Sequence, residues 1–128
     1  MLTYLLTVRQ PVRFILVILY VGIIMALSLL PTSDLPPIPL FRGADKIIHM
    51  TMYFFFSMVF CWALKAEMNY TRLFFIIPVT IGWGILMEAM QLEMHRGRSF
   101  SLFDMLANSI GVFAGVLIFV FLARKYST

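Results

Sequence analysis

The sequence predicts an all-α fold, an integral membrane four-helix bundle with both termini cytoplasmic, and three observations point to it. The chain is 62% hydrophobic and only 12% charged, whereas charged residues alone approach ~25% of an ordinary soluble domain. Its apolar residues collect in four runs, at about 14–30, 46–64, 73–92 and 102–123, close to the roughly 20 residues a helix needs to cross a bilayer core. The ten basic residues cluster at the run ends. An even number of spans puts Arg9, Arg13, Lys65, Arg72, Arg124 and Lys125 on the side of the termini. Arg42, Lys46, Arg96 and Arg98 fall opposite, and the excess favours cytoplasmic termini.

The first run follows Arg9 and Arg13 and ends in Ala26-Leu27-Ser28 before Pro31, which also fits a secretory signal with a small-residue cleavage site. Its apolar part exceeds the usual length of about 7 to 15 residues for such signals, so a retained helix is expected. Pro31, Pro36, Pro37 and Pro39 then make 31–41 a stiff, extended crossing. Asp45, Lys46 and His49 open the second run, and Cys61 lies inside it as a small core residue. In the third run Pro78 is expected to kink the helix, with Gly82 and Gly84 allowing a neighbour close approach. Glu88 and Gln91 close it. Ser101-x-x-Asp104 opens the fourth run as a carboxylate version of the capping box. Gly111 and Gly115 share a face with Asp104 and Asn108, so a helix packing on the glycines brings both polar residues to an interface.

With 1–128 read as a single domain, little chain remains outside the spans, and any activity belongs within or against the bilayer. The net charge of +4 comes from basic residues distributed over segment ends, as anchors are, and no nucleic acid is expected. Ten methionines fit irregular helix contacts rather than a soft-metal cluster.

Almost every polar side chain that intrudes on the runs falls near one membrane face. A charge near the bilayer centre costs roughly 2.5 to 3.5 kcal/mol on insertion scales, so such residues need a partner, a pathway or a site. Asp45, His49 and Tyr53 stand four apart on one helix face, with Lys46 beside His49. A carboxylate next to an imidazole fixes its tautomer and suits it to general acid and base work. The plainer alternative is that Asp45 caps the helix and His49 bonds a neighbouring backbone. Glu88 lies deep enough to call for a cation, and Arg98, Lys46 and His49 are the candidates. A structural ion pair is the alternative there. Asp104 serves equally as cap or as site residue. Arg98, at headgroup level, offers bidentate bonds to phosphate or snorkels as an anchor.

The ordered set Ser28-Leu29-Leu30-Pro31, Asp45-Lys46-x-x-His49-x-x-x-Tyr53, Glu88-x-x-Gln91 and Arg98-Ser99-Phe100-Ser101-x-x-Asp104-x-x-x-Asn108-x-x-Gly111-x-x-x-Gly115 resembles the VanZ-like family of small bacterial membrane proteins. Met50 departs from the aromatic residue expected after the histidine, which touches packing rather than chemistry. The resemblance implies a bacterial cytoplasmic (inner) membrane and a link to the cell envelope and to resistance against glycopeptides such as teicoplanin.

The expected function is an outward-facing polar site acting on phosphate-containing lipid headgroups or lipid-linked envelope precursors, by phosphoester transfer or hydrolysis. His49 is the expected base or nucleophile, oriented by Asp45. Glu88 and Asp104 supply a second acid-base group or hold a divalent cation, magnesium or calcium given hard carboxylate oxygens. Lys46 and Arg98 bind phosphate, while Tyr53, Gln91 and Asn108 position substrate atoms. The rival reading is a non-catalytic membrane module that binds lipid, antibiotic or a partner protein, with the polar cluster as structural glue. A small transporter is a third, which four helices suit only as an oligomer.

Overall fold

The computed structural model describes residues 2–29, 43–65, 69–94 and 101–126, with the side chains of Leu2, Thr3 and Leu6 excepted. A short α1 (Leu2–Thr7) precedes four long helices: α2 (Gln10–Leu29), α3 (Ala44–Ala63), α4 (Tyr70–Met94) and α5 (Leu102–Tyr126). All four are long and apolar enough to cross a membrane, and the described residues contain no strand. The chain therefore has the character of a multi-pass membrane protein. The expected runs lie inside these helices but for a residue or so where they end. The observed helices are otherwise longer because their polar ends also bond within the helix. The expected extended crossing at 31–41 lies outside the described residues.

Each helix end has a local cause. Pro11 sits in the first turn of α2, where its missing N–H leaves no bond unmade. Gly43 precedes α3 with φ 92°, a left-handed backbone that glycine adopts without steric cost. Asn69 caps α4 by accepting from the Arg72 N–H at 3.1 Å. Ser101 caps α5, its Oγ accepting from the Asp104 N–H at 3.2 Å. Arg72 closes the end of α3, donating to the Leu64 carbonyl and to that of Lys65 at 3.2 Å. Pro78 lies within α4, which continues through it as one helix. Thr80 donates to the Ile76 carbonyl at 2.8 Å one turn along.

The bundle is inverted relative to a soluble one. Phe74, Phe103, Leu102, Leu117 and Ile18 are among its most exposed side chains, while Arg13, Ser57, Thr80, Glu88, Gln91 and Asn108 are buried. In a bilayer, lipid tails would solvate the first set as well as a protein interior does, whereas polar groups would gain only from partners inside the bundle. The core draws Ile24, Tyr53, Phe56, Met87 and Val112 from all four long helices. Cys61 packs with Leu73, Ile76 and Val116 in a second cluster, the small core role expected of it.

The closest contact is between α3 and α5. A Cβ at Gly111 would collide with the Met50 carbonyl oxygen, and one at Gly115 with the Phe54 carbonyl oxygen and Ser57 Oγ. Two small residues one turn apart therefore let two backbones touch, as small-xxx-small spacing does between membrane helices. Because α3 and α5 run in the same direction and nearly in contact, their first turns finish side by side. That adjacency builds the site described below.

Two features at the opposite end were not expected. Arg13 is fully buried rather than snorkelling to an interface. Its Nε donates to the Val8 carbonyl at 3.0 Å, its Nη1 to the Trp62 carbonyl at 2.9 Å, and the guanidinium lies 5.0 Å from the Trp62 ring centre. The Trp62 indole in turn donates to the Leu5 carbonyl at 2.9 Å, which fastens α1 to α3. These are tertiary bonds, invisible to a count of run-end charges.

Candidate functional site

The polar residues flagged in three separate runs meet at the end of the bundle where α3 and α5 begin and α4 finishes. His49, Glu88 and Asp104 each offer a ligand-capable atom, and these atoms lie within 4.8 Å of one another. Glu88 is 1% exposed, and the His49 and Asp104 side chains are each 14% exposed. The rim toward the surface is Lys46 and Asp45, whose side chains are 35% and 60% exposed.

His49 Nδ1 lies 3.1 Å from Asn108 Oδ1. An amide oxygen can only accept, so this contact places a ring proton on Nδ1; in the neutral imidazole the lone pair is then on Nε2. Nε2 faces Asp104 Oδ2 at 3.8 Å, beyond ordinary hydrogen-bond reach. The other oxygen of Asp104, Oδ1, lies 2.6 Å from Lys46 Nζ, and the same ammonium lies 2.5 Å from Asp45 Oδ2. Asp104 Oδ1 makes no contact of hydrogen-bond geometry, and the ammonium charge is what answers it.

The capping box expected at Ser101 and Asp104 is half formed. The Ser101 hydroxyl does cap the Asp104 N–H, but the carboxylate that receives the Ser101 N–H at 3.2 Å is Glu88, from α4. A residue from another helix thus completes the cap, and Asp104 is released to face Lys46 and His49. The expectation that Asp45 orients His49 requires correction. Among the described residues the polar partners of His49 are Asn108 and Asp104, while Asp45 turns outward onto Lys46. A four-residue spacing puts two side chains on one face but does not make them touch, and here the neighbouring α5 supplies closer partners.

Gln91 is buried and donates to the Ser28 carbonyl at 2.7 Å, which ties α4 to α2. Its amide nitrogen is therefore occupied by the fold. Tyr53, one turn below His49, is buried at 1% exposure, and its hydroxyl has no hydrogen-bond partner among the described residues. Gly84 makes the room for this layer: a Cβ there would stand 3.0 Å from Asn108 Nδ2 and 3.2 Å from the Tyr53 ring. Arg98 lies outside the described residues.

Sequence reasoning missed Arg13, Ser28 as an acceptor, and the joining of Glu88 to the α5 cap. No local signal announces a carbonyl acceptor or a cap completed from another helix. No family model, curated protein or solved structure matches this chain.

Proposed function

We infer that this chain is a VanZ-like protein of the bacterial cytoplasmic membrane whose polar site acts on phosphate-containing lipid headgroups or lipid-linked envelope precursors. The reaction is phosphoester hydrolysis or transfer, and the link to glycopeptide resistance implied by the family resemblance is part of the proposal. The observation that carries it is the convergence of His49, Glu88 and Asp104 from three helices to within 4.8 Å, at the end of the bundle where α3 and α5 begin. Scattered ion pairs holding helices together do not need a tautomer-fixed imidazole facing two carboxylates.

In the reaction, water or an acceptor hydroxyl attacks phosphorus. One P–O bond forms, the P–O bond to the leaving alcohol breaks, and the proton lost by the incoming hydroxyl reaches the departing oxygen. The His49, Glu88 and Asp104 cluster collects and returns that proton, and Lys46, with Arg98, draws the phosphate oxygens to the rim. Lipid mass spectrometry of cells with and without the protein tests this. Expression should shift at least one phosphate-bearing lipid pool, and His49→Ala should restore the pattern of cells lacking the protein. Identical lipid profiles in all three would end the enzymatic reading.

The non-catalytic reading has one observation in its favour. Lys46 is held between two carboxylates and Gln91 by a backbone carbonyl, so part of the cluster serves the fold. The proposal takes this end of the bundle as outward and the termini as cytoplasmic, from the excess of basic residues on the side of the termini. An impermeant thiol reagent added to intact cells should label Ser33→Cys and not Ser127→Cys; the buried native Cys61 stays silent. The reverse pattern would turn the site to the inner leaflet.

A further inference from the structure

We propose that His49 Nε2, one Glu88 oxygen and Asp104 Oδ2 hold a divalent transition ion of the manganese-to-zinc class. This deepens the reading of the same site but does not depend on the reaction assigned to it.

Four features of the site lead there. First, the donor set is one imidazole nitrogen and two carboxylates on three helices, mutually within 4.8 Å. Donors about 2.1 Å from a shared ion at tetrahedral or octahedral angles stand roughly 3 to 3.5 Å apart. The 3.8 Å between Nε2 and Oδ2 is too long for a good hydrogen bond and needs only a small closure around an ion.

Second, each of the three donors is oriented by a further group, the arrangement that metal-binding side chains require. Asn108 Oδ1, 3.1 Å from Nδ1, selects the neutral tautomer whose lone pair is on Nε2, the nitrogen that faces Asp104. Lys46 occupies Asp104 Oδ1 at 2.6 Å and leaves Oδ2 to the interior. The Ser101 N–H holds Glu88 Oε2 at 3.2 Å.

Third, charge is left over. Three carboxyl groups, Asp45, Asp104 and Glu88, stand against one ammonium, Lys46, which lies 2.5 Å from Asp45 and 2.6 Å from Asp104. Among the described residues no cationic side chain contacts Glu88, whose hydrogen bond is to a backbone N–H. A divalent cation would offset that excess of carboxyl groups, and ionising one buried at 1% exposure is costly without a cation beside it.

Fourth, Tyr53 lies directly beneath. The residue is 1% exposed and its buried hydroxyl is unpartnered among the described residues, with the Glu88 carboxyl within electrostatic range. A buried phenol without a partner sits badly in a dry core. Beneath an ion it can bond a coordinated water or the Glu88 carboxylate.

The nitrogen ligand decides the class of ion. Magnesium and calcium prefer all-oxygen shells, whereas an imidazole with carboxylates suits manganese or zinc. The sequence-based expectation of magnesium or calcium counted Glu88 and Asp104 without His49. With His49, Glu88 and Asp104 as its protein ligands, an ion held here would keep an open position and would supply Lewis acidity toward water or a phosphate oxygen. His49 is then a ligand, and Asn108 is a positioning residue.

The test uses the purified full chain in nanodiscs, stripped with chelator and titrated with Mn²⁺. Saturable binding near one ion per chain is expected, with pulsed electron paramagnetic resonance showing a ¹⁴N coupling from His49. His49→Gln should remove that coupling and weaken binding at least about 10-fold, and Asn108→Ala should weaken it roughly 10- to 100-fold. Asp104→Asn gives an independent loss should His49→Gln fold poorly. Zn²⁺ should displace Mn²⁺, and millimolar Mg²⁺ should not. No saturable binding, or binding with no nitrogen coupling, or binding unchanged in both His49→Gln and Asp104→Asn, would overturn the assignment. Turnover that persists in stripped protein would remove the ion's role and leave the phosphoester reading intact. Ion binding without turnover would do the reverse.

Discussion

Gly115→Leu is expected to abolish assembly of the bundle, and Gly111→Leu to come close to it. Even the first carbon of a side chain at Gly115 collides with the Phe54 carbonyl oxygen and Ser57 Oγ, and at Gly111 with the Met50 carbonyl oxygen. These are largely backbone atoms, which no rotamer change moves. The α3 and α5 axes must separate, and the contacts along that seam are lost with them. Overpacking of a tight interface costs typically about 1 to 3 kcal/mol for smaller insertions, and leucine against backbone lies above that range.

The graded series makes the effect diagnostic. At Gly84 a Cβ meets the side chains of Asn108 and Tyr53 at 3.0 and 3.2 Å, which can give slightly, so Gly84→Ala should be intermediate. At Gly22 nothing lies within 4 Å, and Gly22→Leu should be tolerated. Thermal unfolding in detergent, read by size-exclusion profile, should rank the variants in that order. Equal tolerance at Gly115 and Gly22 would mean that α5 presents its glycine face to lipid.

Much of the fold was legible in the sequence because bilayer thickness and hydropathy act locally. The four runs and the small-residue face of α5 follow from spacing alone. The site was legible in part for a related reason: His49, Glu88 and Asp104 all lie within a few turns of one surface, and a small bundle has one interior for them to share. What spacing does not fix is rotation and partner choice. Asp45 and His49 share a face by count, yet α5 comes closer to His49 than Asp45 does. Ser101 and Asp104 satisfy a local capping rule, yet Glu88 from α4 takes half of it. Arg13 reads as a topology charge and is instead a buried clasp on Trp62. In the first two cases a tertiary hydrogen bond outcompetes a plausible local one.

The second large effect is expected at Glu88, where fold and function separate. Its carboxylate does two things: it accepts the Ser101 N–H at 3.2 Å and it stands with His49 and Asp104. Glu88→Gln keeps an acceptor oxygen for Ser101 and nearly the same volume, so stability should change by no more than about 1 kcal/mol. It removes the negative charge that proton transfer or an ion requires, and activity should fall about 100-fold or more. Glu88→Ala removes both and should also cost roughly 1 to 3 kcal/mol, because the Ser101 N–H then loses its acceptor in a buried setting. A structural role alone predicts the opposite for glutamine, with activity tracking stability.

The most direct measurement is turnover of phosphate-containing lipid by the purified protein in nanodiscs made from bacterial membrane lipid. Products would be followed by mass spectrometry for wild type, His49→Ala, Glu88→Gln and Asp104→Asn, with unfolding temperature recorded on the same samples. One shared site predicts lipid conversion by wild type and a loss of about 100-fold or more in each variant while Glu88→Gln remains folded. No conversion by wild type, or conversion surviving in all three variants, would contradict it and leave the cluster as the glue of a four-helix bundle.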